Sequence, residues 1–152
     1  HSMLPLFELE QIKEKIDIPV IQTLSIPASE ELTGKKAGKT ENTALISELI
    51  EQVNLLEEAA VVDSILLDTG KSGKLGGTGC VHDWVLSKRI AEETRLPLIL
   101  AGGLKPENVN EAIKTVSPYA VDTASGVESG GKKDALKIKK FIEEVRCASA
   151  FL

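Results

Sequence analysis

The sequence predicts an α/β fold with a parallel sheet, built from repeated βα units. Two observations carry that reading. Apolar runs of strand length alternate with stripes of helical spacing along the 152 residues, and the connections between them are short. Several of the strand runs also end in glycine or a small polar residue. In parallel α/β proteins the strand ends are where ligands sit, because helices cover the sheet faces. No linker or low-complexity segment divides the chain, so residues 1–152 read as a single domain.

The elements follow in order. Leu6 to Ile16, with Leu9 and Ile12 between, has helical spacing, and Pro19 to Ile26 is a β-branched strand run. Lys35 to Lys39 reads as a loop. Beyond Glu41, residues Leu45, Ile46, Leu49, Ile50, Val53 and Leu56 fall on one broad stripe of a long helix. Val62 to Leu67 is the next strand, apolar enough over Ile65–Leu67 to be buried on both faces. Trp84 to Thr94 reads as a helix and Leu96 to Ala101 as a strand. Pro106 is expected to open a helix at its first turn, with Val109, Ala112, Ile113 and Val116 as its buried face. Tyr119 to Thr123 is the last strand, and Leu136, Phe141, Ile142 and Val145 belong to the last helix. The order is one helix followed by four βα units.

Composition excludes several classes of function. A net charge of −5 gives no electrostatic footprint for nucleic acid. The lysines from Lys132 to Lys140 cluster, and charge on a helix is ordinarily a solvated face. No apolar run reaches the ~18 residues of a membrane span, and no signal-peptide pattern is present. Cys80 and Cys147 have no metal-ligand spacing and imply no disulfide framework. The expectation is a cytoplasmic protein with free thiols, and with neither metal nor cofactor.

The chemistry concentrates at three strand ends. Asp68 stands where the strand Ser64–Leu67 would finish, and Gly76-Gly77-Thr-Gly79 follows, then His82-Asp-Trp84. A carboxylate there, beside a glycine loop, is a candidate acid or base over a bound anion; the plain alternative is a turn cap and a flexible loop. The next strand ends in Ala101-Gly102-Gly103-Leu104, and the last in Asp122-Thr-Ala-Ser125-Gly126-Val-Glu128. Backbone N–H groups bared by glycine make anion sites. Two successive strands ending this way match the phosphate site of (βα)8 barrels, which is built from the loops after the last two strands. His82 opens a helix and reads as a surface or packing residue.

Together these residues carry a resemblance. Leu67-Asp68, Gly76-Gly-Thr-Gly79, Asp83-Trp84, Ala101-Gly-Gly-Leu104-x-Pro-Glu-Asn-Val109, Val121-Asp-x-x-Ser-Gly-Val-Glu128 and Gly131-Lys-Lys-Asp134 resemble the phosphoribosylanthranilate isomerase family over nearly the whole chain. The resemblance implies a (βα)8 TIM barrel that performs an Amadori rearrangement of N-(5-phosphoribosyl)anthranilate in tryptophan biosynthesis. It implies that Asp68 is the general acid that protonates the furanose ring oxygen. Gly102, Gly103, Ser125 and Gly126 would hold the phosphate through backbone N–H groups, with Gly76, Gly77 and Asp122 lining the same mouth.

The departures define the remaining expectations. The family's cysteine base and carboxylate-binding arginine lie at the ends of its first two strands, and this chain has no counterpart of either. A lysine common in the family's fifth strand is Gln22 here. The four βα units correspond to strands five to eight, and His1-Ser2 fits the end of strand four. The chain therefore reads as the C-terminal half of the barrel, with two open strand edges and with Val20, Ile65, Leu67, Ile99 and Val121 as interior side chains lacking partners. The expected partners are a small phosphorylated sugar and either a homo-oligomer or the other barrel half. Two alternatives accompany the isomerase: a non-catalytic sugar-phosphate-binding or assembly protein of the same lineage, and a histidine-pathway isomerase that shares the phosphate loops.

Overall fold

The computed structural model describes residues 4–28, 39–71, 74–75 and 81–149. The chain enters through α1 (Leu6–Lys13) and alternates from there: β1 (Ile21–Pro27), α2 (Lys39–Ala59), β2 (Ser64–Lys71), β3 (Lys74–Leu75), α3 (Trp84–Glu93), β4 (Leu98–Leu100), α4 (Val109–Val116) and β5 (Ala120–Val121). A 3₁₀ turn at Ser125–Val127 leads to a ribbon of β6 (Glu128–Ser129) and β7 (Lys132–Lys133), and α5 (Ala135–Ser149) closes the fold.

The sheet order is β1-β2-β4-β5, parallel throughout, and β3 pairs antiparallel with the end of β2. Each major strand thus lies beside its neighbour in sequence, and the order never reverses. Right-handed crossovers between successive parallel strands put every helix on the same face, and α3, α4 and α5 pack in series against one another. A doubly wound sheet would reverse its order and split its helices between two faces. This arrangement is instead that of a barrel wall.

Register separates the two faces of the sheet. Leu24 pairs with Leu67, Leu67 with Leu100, and Leu100 with Val121; one step earlier, Ile65 pairs with Leu98. These residues form one core with Ile46, Leu49 and Val53 of α2, Leu86 and Ile90 of α3, and Val109, Ala112, Ile113 and Val116 of α4. Ile65, Leu67 and Leu100 are fully buried there, each contributing about 1.5–3 kcal/mol of transfer free energy. Side chains alternate along a strand, so Leu66, Asp68 and Ile99 point to the opposite, inner face.

Several expectations need correction on this basis. Ile65, Leu67 and Val121 belong to the helix-covered face, and only Ile99 of that group lies on the inner one. The run Ile65–Leu67 is buried on both faces as expected, whereas Asp63 is exposed and the strand spans Ser64–Lys71 in place of Val62–Leu67. Pro106 sits in a turn, and regular helix starts at Val109, because the Asn108 side chain first folds back to receive the Lys105 N–H at 2.8 Å. Lys132 and Lys133 lie on β7 rather than on the last helix. α1 stops at Lys13, short of Ile16, ahead of Pro19, whose ring disfavours helical backbone before it. Residues Lys35 to Gly38 and His1-Ser2 lie outside the described residues.

Candidate active site

The C-terminal ends of β2, β4 and β5 meet at one rim. Strand β2 continues past Asp68 to Lys71, beyond where the apolar run was expected to finish; Asp68 lies within it on the inner face, paired in register with Ser25 of β1 and only 7% exposed. Burial and the neighbouring Asp122 carboxylate hold its pKa above the ordinary carboxylate range, against the pull of a hydrogen bond from the Thr69 N–H. A carboxyl so placed keeps its proton longer than a solvated one, as a general acid requires. Asp122 follows β5, its N–H bonded to the Leu100 carbonyl at 2.9 Å.

The glycine loops are built by close approach. Gly102 and Gly103 have φ of +87° and +65°, where a side chain is strained. A Cβ on Gly102 would lie 2.1 Å from Thr69 Oγ1 and 2.5 Å from Thr69 N. The loop after β4 therefore rests directly on the end of β2. A Cβ on Gly126 would fall 1.8 Å from the Leu104 carbonyl oxygen, and that oxygen also accepts from Thr123 Oγ1 at 2.6 Å. These contacts stitch the loops after β4 and β5 together. Asn108 braces the first loop by donating to the Gly103 carbonyl at 3.1 Å.

Lys133 braces the second, donating to the Ala124 carbonyl at 2.7 Å and pairing with Glu128 at 2.9 Å. Asp134 caps α5 by receiving the N–H groups of Leu136 and Lys137, and Ser129 Oγ holds its other oxygen. The structure thus brings Asp68, Gly102, Gly103, Asp122, Ser125 and Gly126 to a single rim. Gly76, Gly77 and Cys80 lie outside the described residues. Cys147 is a free, exposed thiol. Among the described residues no cluster of His, Cys, Asp or Glu has metal-binding geometry, and no helix is long and apolar enough to cross a membrane.

Behind the rim sequence reasoning missed Thr123 and Lys133 and left His82 open between surface and packing. His82 is a buried packing residue, 2% exposed, and its ring joins Thr69 Oγ1 at 2.7 Å to Ser87 Oγ at 2.6 Å. Burial depresses its pKa from 6.5 to about 4, so the ring is neutral. Thr123 and Lys133 tie loops through carbonyl oxygens, and no local pattern marks such a bond. Both nonetheless fall inside the short motifs that carry the resemblance.

Parallel strands in chain order, with an acid and paired glycine loops at their C-terminal ends, define a strand-end site of the TIM-barrel type. Known proteins place it more narrowly. The family model for N-(5'-phosphoribosyl)anthranilate (PRA) isomerase matches residues 7–144, and the chain belongs to that family. It is 66% identical over its full length to an N-(5'-phosphoribosyl)anthranilate isomerase of Methanosarcina acetivorans and 65% identical to one of Methanosarcina mazei. It spans 61% and 62% of the lengths of those relatives. Among solved structures it resembles the phosphoribosyl anthranilate isomerase of Thermococcus kodakaraensis, with TM-score 0.67 and 36% identity over 96% of this chain and 61% of that one. The Thermotoga maritima enzyme gives TM-score 0.66 and 32% identity over 95% of this chain and 58% of that one.

Proposed function

We propose that this chain carries the acid and the phosphate-binding part of a phosphoribosylanthranilate isomerase. Its four βα units would be strands five to eight of the barrel. The observation that carries the reading is Asp68: a buried carboxyl with a raised pKa on the inner face, one strand from two glycine loops that rest on each other. A related protein, 30% identical with TM-score 0.61, is described in complex with reduced 1-(o-carboxyphenylamino)-1-deoxyribulose 5-phosphate. That ligand has the phosphate, the opened sugar and the aromatic carboxylate that this reading requires.

In the proposed mechanism the backbone N–H groups of Gly102, Gly103, Ser125 and Gly126 receive the phosphate. Asp122 lines the mouth beside them. Asp68 gives its proton to the furanose ring oxygen; the C1–O bond breaks, and the anilino nitrogen lone pair forms the C=N of a Schiff base. A base then removes the C2 proton, the electrons move to form the enamine, and tautomerisation leaves the ketone. Asp68 is already spent as the acid, and Asp122 faces the phosphate loops. The base comes from the remaining barrel strands.

The test is an anthranilate-fluorescence assay of this chain alone, and of the chain joined behind the part of the Methanosarcina acetivorans relative that it does not span. We expect no turnover from the first and turnover from the second, in the cytoplasmic, metal-free conditions the composition suggests. In the joined protein Asp68→Asn should reduce kcat by about 10²–10⁴-fold, the usual contribution of a general acid. Turnover by the short chain alone would refute the division of labour. A joined protein that binds ribose phosphates without turnover would favour a binding or assembly role for this lineage.

A further inference from the structure

Behind Asp68 three elements converge on one imidazole. His82 forms a backbone bridge with Ala28 at the end of β1. Its Nδ1 meets Thr69 Oγ1 at the end of β2, and its Nε2 meets Ser87 Oγ in the first turns of α3. Thr69, His82 and Ser87 are 1%, 2% and 0% exposed, so water does not compete for these bonds and each is costly to leave unmade. A neutral ring has one N–H and one lone pair. One hydroxyl therefore donates and the other accepts, and the chain is satisfied only in that state.

Thr69 is the junction. It follows Asp68 directly on β2, with its side chain on the opposite face of the sheet. Its Oγ1 and N stand beneath Gly102, within 2.1 and 2.5 Å of where a Cβ would be. Whatever fixes the Thr69 rotamer also fixes the floor of the Gly102 turn beside Asp68. We propose that His82 is a positioning residue for the Asp68 site, acting through Thr69 and not through Ser87. The inference rests on Asp68 being the functional carboxyl, and it adds a group that never touches substrate.

The two ring nitrogens can be separated by substitution. The Asn amide overlays Nδ1, so His82→Asn keeps the Thr69 bond and loses the Ser87 bond. Gln reaches the Nε2 position, so His82→Gln does the reverse. Both lose one buried hydrogen bond and should lose similar stability, which makes fold stability the internal control. The carboxyl titration of Asp68, followed by carbon-13 NMR on this chain, needs no isomerase activity. We expect its midpoint to match wild type in His82→Asn and in Ser87→Ala. It should shift in His82→Gln and in Thr69→Val, where the Thr69 side chain no longer holds the Gly102 turn beside Asp68.

In the joined, active protein the same pairs should divide by kcat at constant KM. His82→Gln should fall about 10-fold or more, the scale of a small misplacement of a reacting group, and His82→Asn should stay within about 2-fold. Should His82→Gln fail to fold, Thr69→Val and Ser87→Ala make the same comparison from the partners' side. Equal Asp68 midpoints across the four variants would overturn the inference. A split in midpoints with no turnover in the joined protein would leave it standing and count against the isomerase reading alone.

Discussion

Gly126→Ala tests the joint between the two glycine loops. The added Cβ would lie 1.8 Å from the Leu104 carbonyl oxygen and 2.8 Å from both Leu104 C and Thr123 Oγ1. Backbone cannot swing aside as a long side chain can, so the loops must part by roughly an ångström or more in a region packed like a crystal. Parting them breaks the Thr123–Leu104 hydrogen bond, worth about 1 kcal/mol, and overpacking adds about 1–3 kcal/mol. The total is about 2–4 kcal/mol, which for a domain of this size lowers Tm by roughly 5–15 °C. Gly130→Ala is the control. Its φ is +58° and nothing lies within 4 Å of its Cβ position, so it incurs only the left-handed backbone penalty, about 1 kcal/mol. Thermal unfolding followed by circular dichroism separates the two. A Gly126→Ala protein no less stable than Gly130→Ala would refute the contact between the loops. If the loops bind phosphate, Gly126→Ala should also abolish ribose 5-phosphate binding by calorimetry, while Gly130→Ala retains it.

Three further outcomes are expected. Asp68→Asn should raise stability at pH 7 in urea unfolding while reducing turnover: a folded pKa above the unfolded one makes the carboxylate a net cost at neutral pH, and a loss of stability would contradict that sign. His82 has the opposite linkage, with its folded pKa of about 4 below the unfolded 6.5; the stability of its neutral state is present above pH 6.5 and is lost as pH falls towards 4, to a total of about 3 kcal/mol. His82→Asn should flatten that part of the pH–stability curve despite the nearby Asp83 carboxylate, and parallel curves would show that His82 is not the titrating group. Glu57→Gln should destabilise the chain by about 1–2 kcal/mol through weaker charge-assisted bonds to the Thr94 hydroxyl and the Arg95 N–H, read as a shift in urea midpoint without loss of phosphate binding.

What was legible in the sequence follows from the range of the signal. The α2 stripe repeats with a local period that burial followed, and the unbroken apolar run Ile65–Leu67 marked a strand covered on both faces. Gly102 and Gly103 were legible because a positive φ leaves a local mark; the apolar run stops at Asp68, but pairing with β1 and β3 carries β2 on to Lys71. The assignment of faces was not legible. Ile65 and Leu66 are equally apolar, and only pairing register decides which of them meets the helices. The two-residue strands β3, β6 and β7 are too short to show any period. The sequence left His82 open between surface and packing, because its partners, Thr69 and Ser87, are set by the crossing of β2 and α3; the structure makes it a packing residue. Pro106 has the right chemistry for a first helical turn, but Asn108 takes the Lys105 N–H for itself.

The acidic groups at the two ends of the sheet show how the fold divides stability from reactivity. At the N-terminal end Asp63 accepts from the Val20 N–H at 2.7 Å and from Lys13 at 2.8 Å, and the Lys13 bond leads in holding its pKa low. Glu57 is lowered too: burial opposes, but bonds from Thr94, Arg95 and Leu96 outweigh it. Both are charged clamps, stabilising above their unfolded pKa values and lost only in acid. At the C-terminal end Asp68 has one backbone donor, a like charge for a neighbour and little water, and its pKa moves up. The residue types are the same; the number of donors turned toward each carboxylate differs. A fold that satisfied Asp68 as fully as Asp63 would gain stability and give up the raised pKa that the proposed acid role calls for.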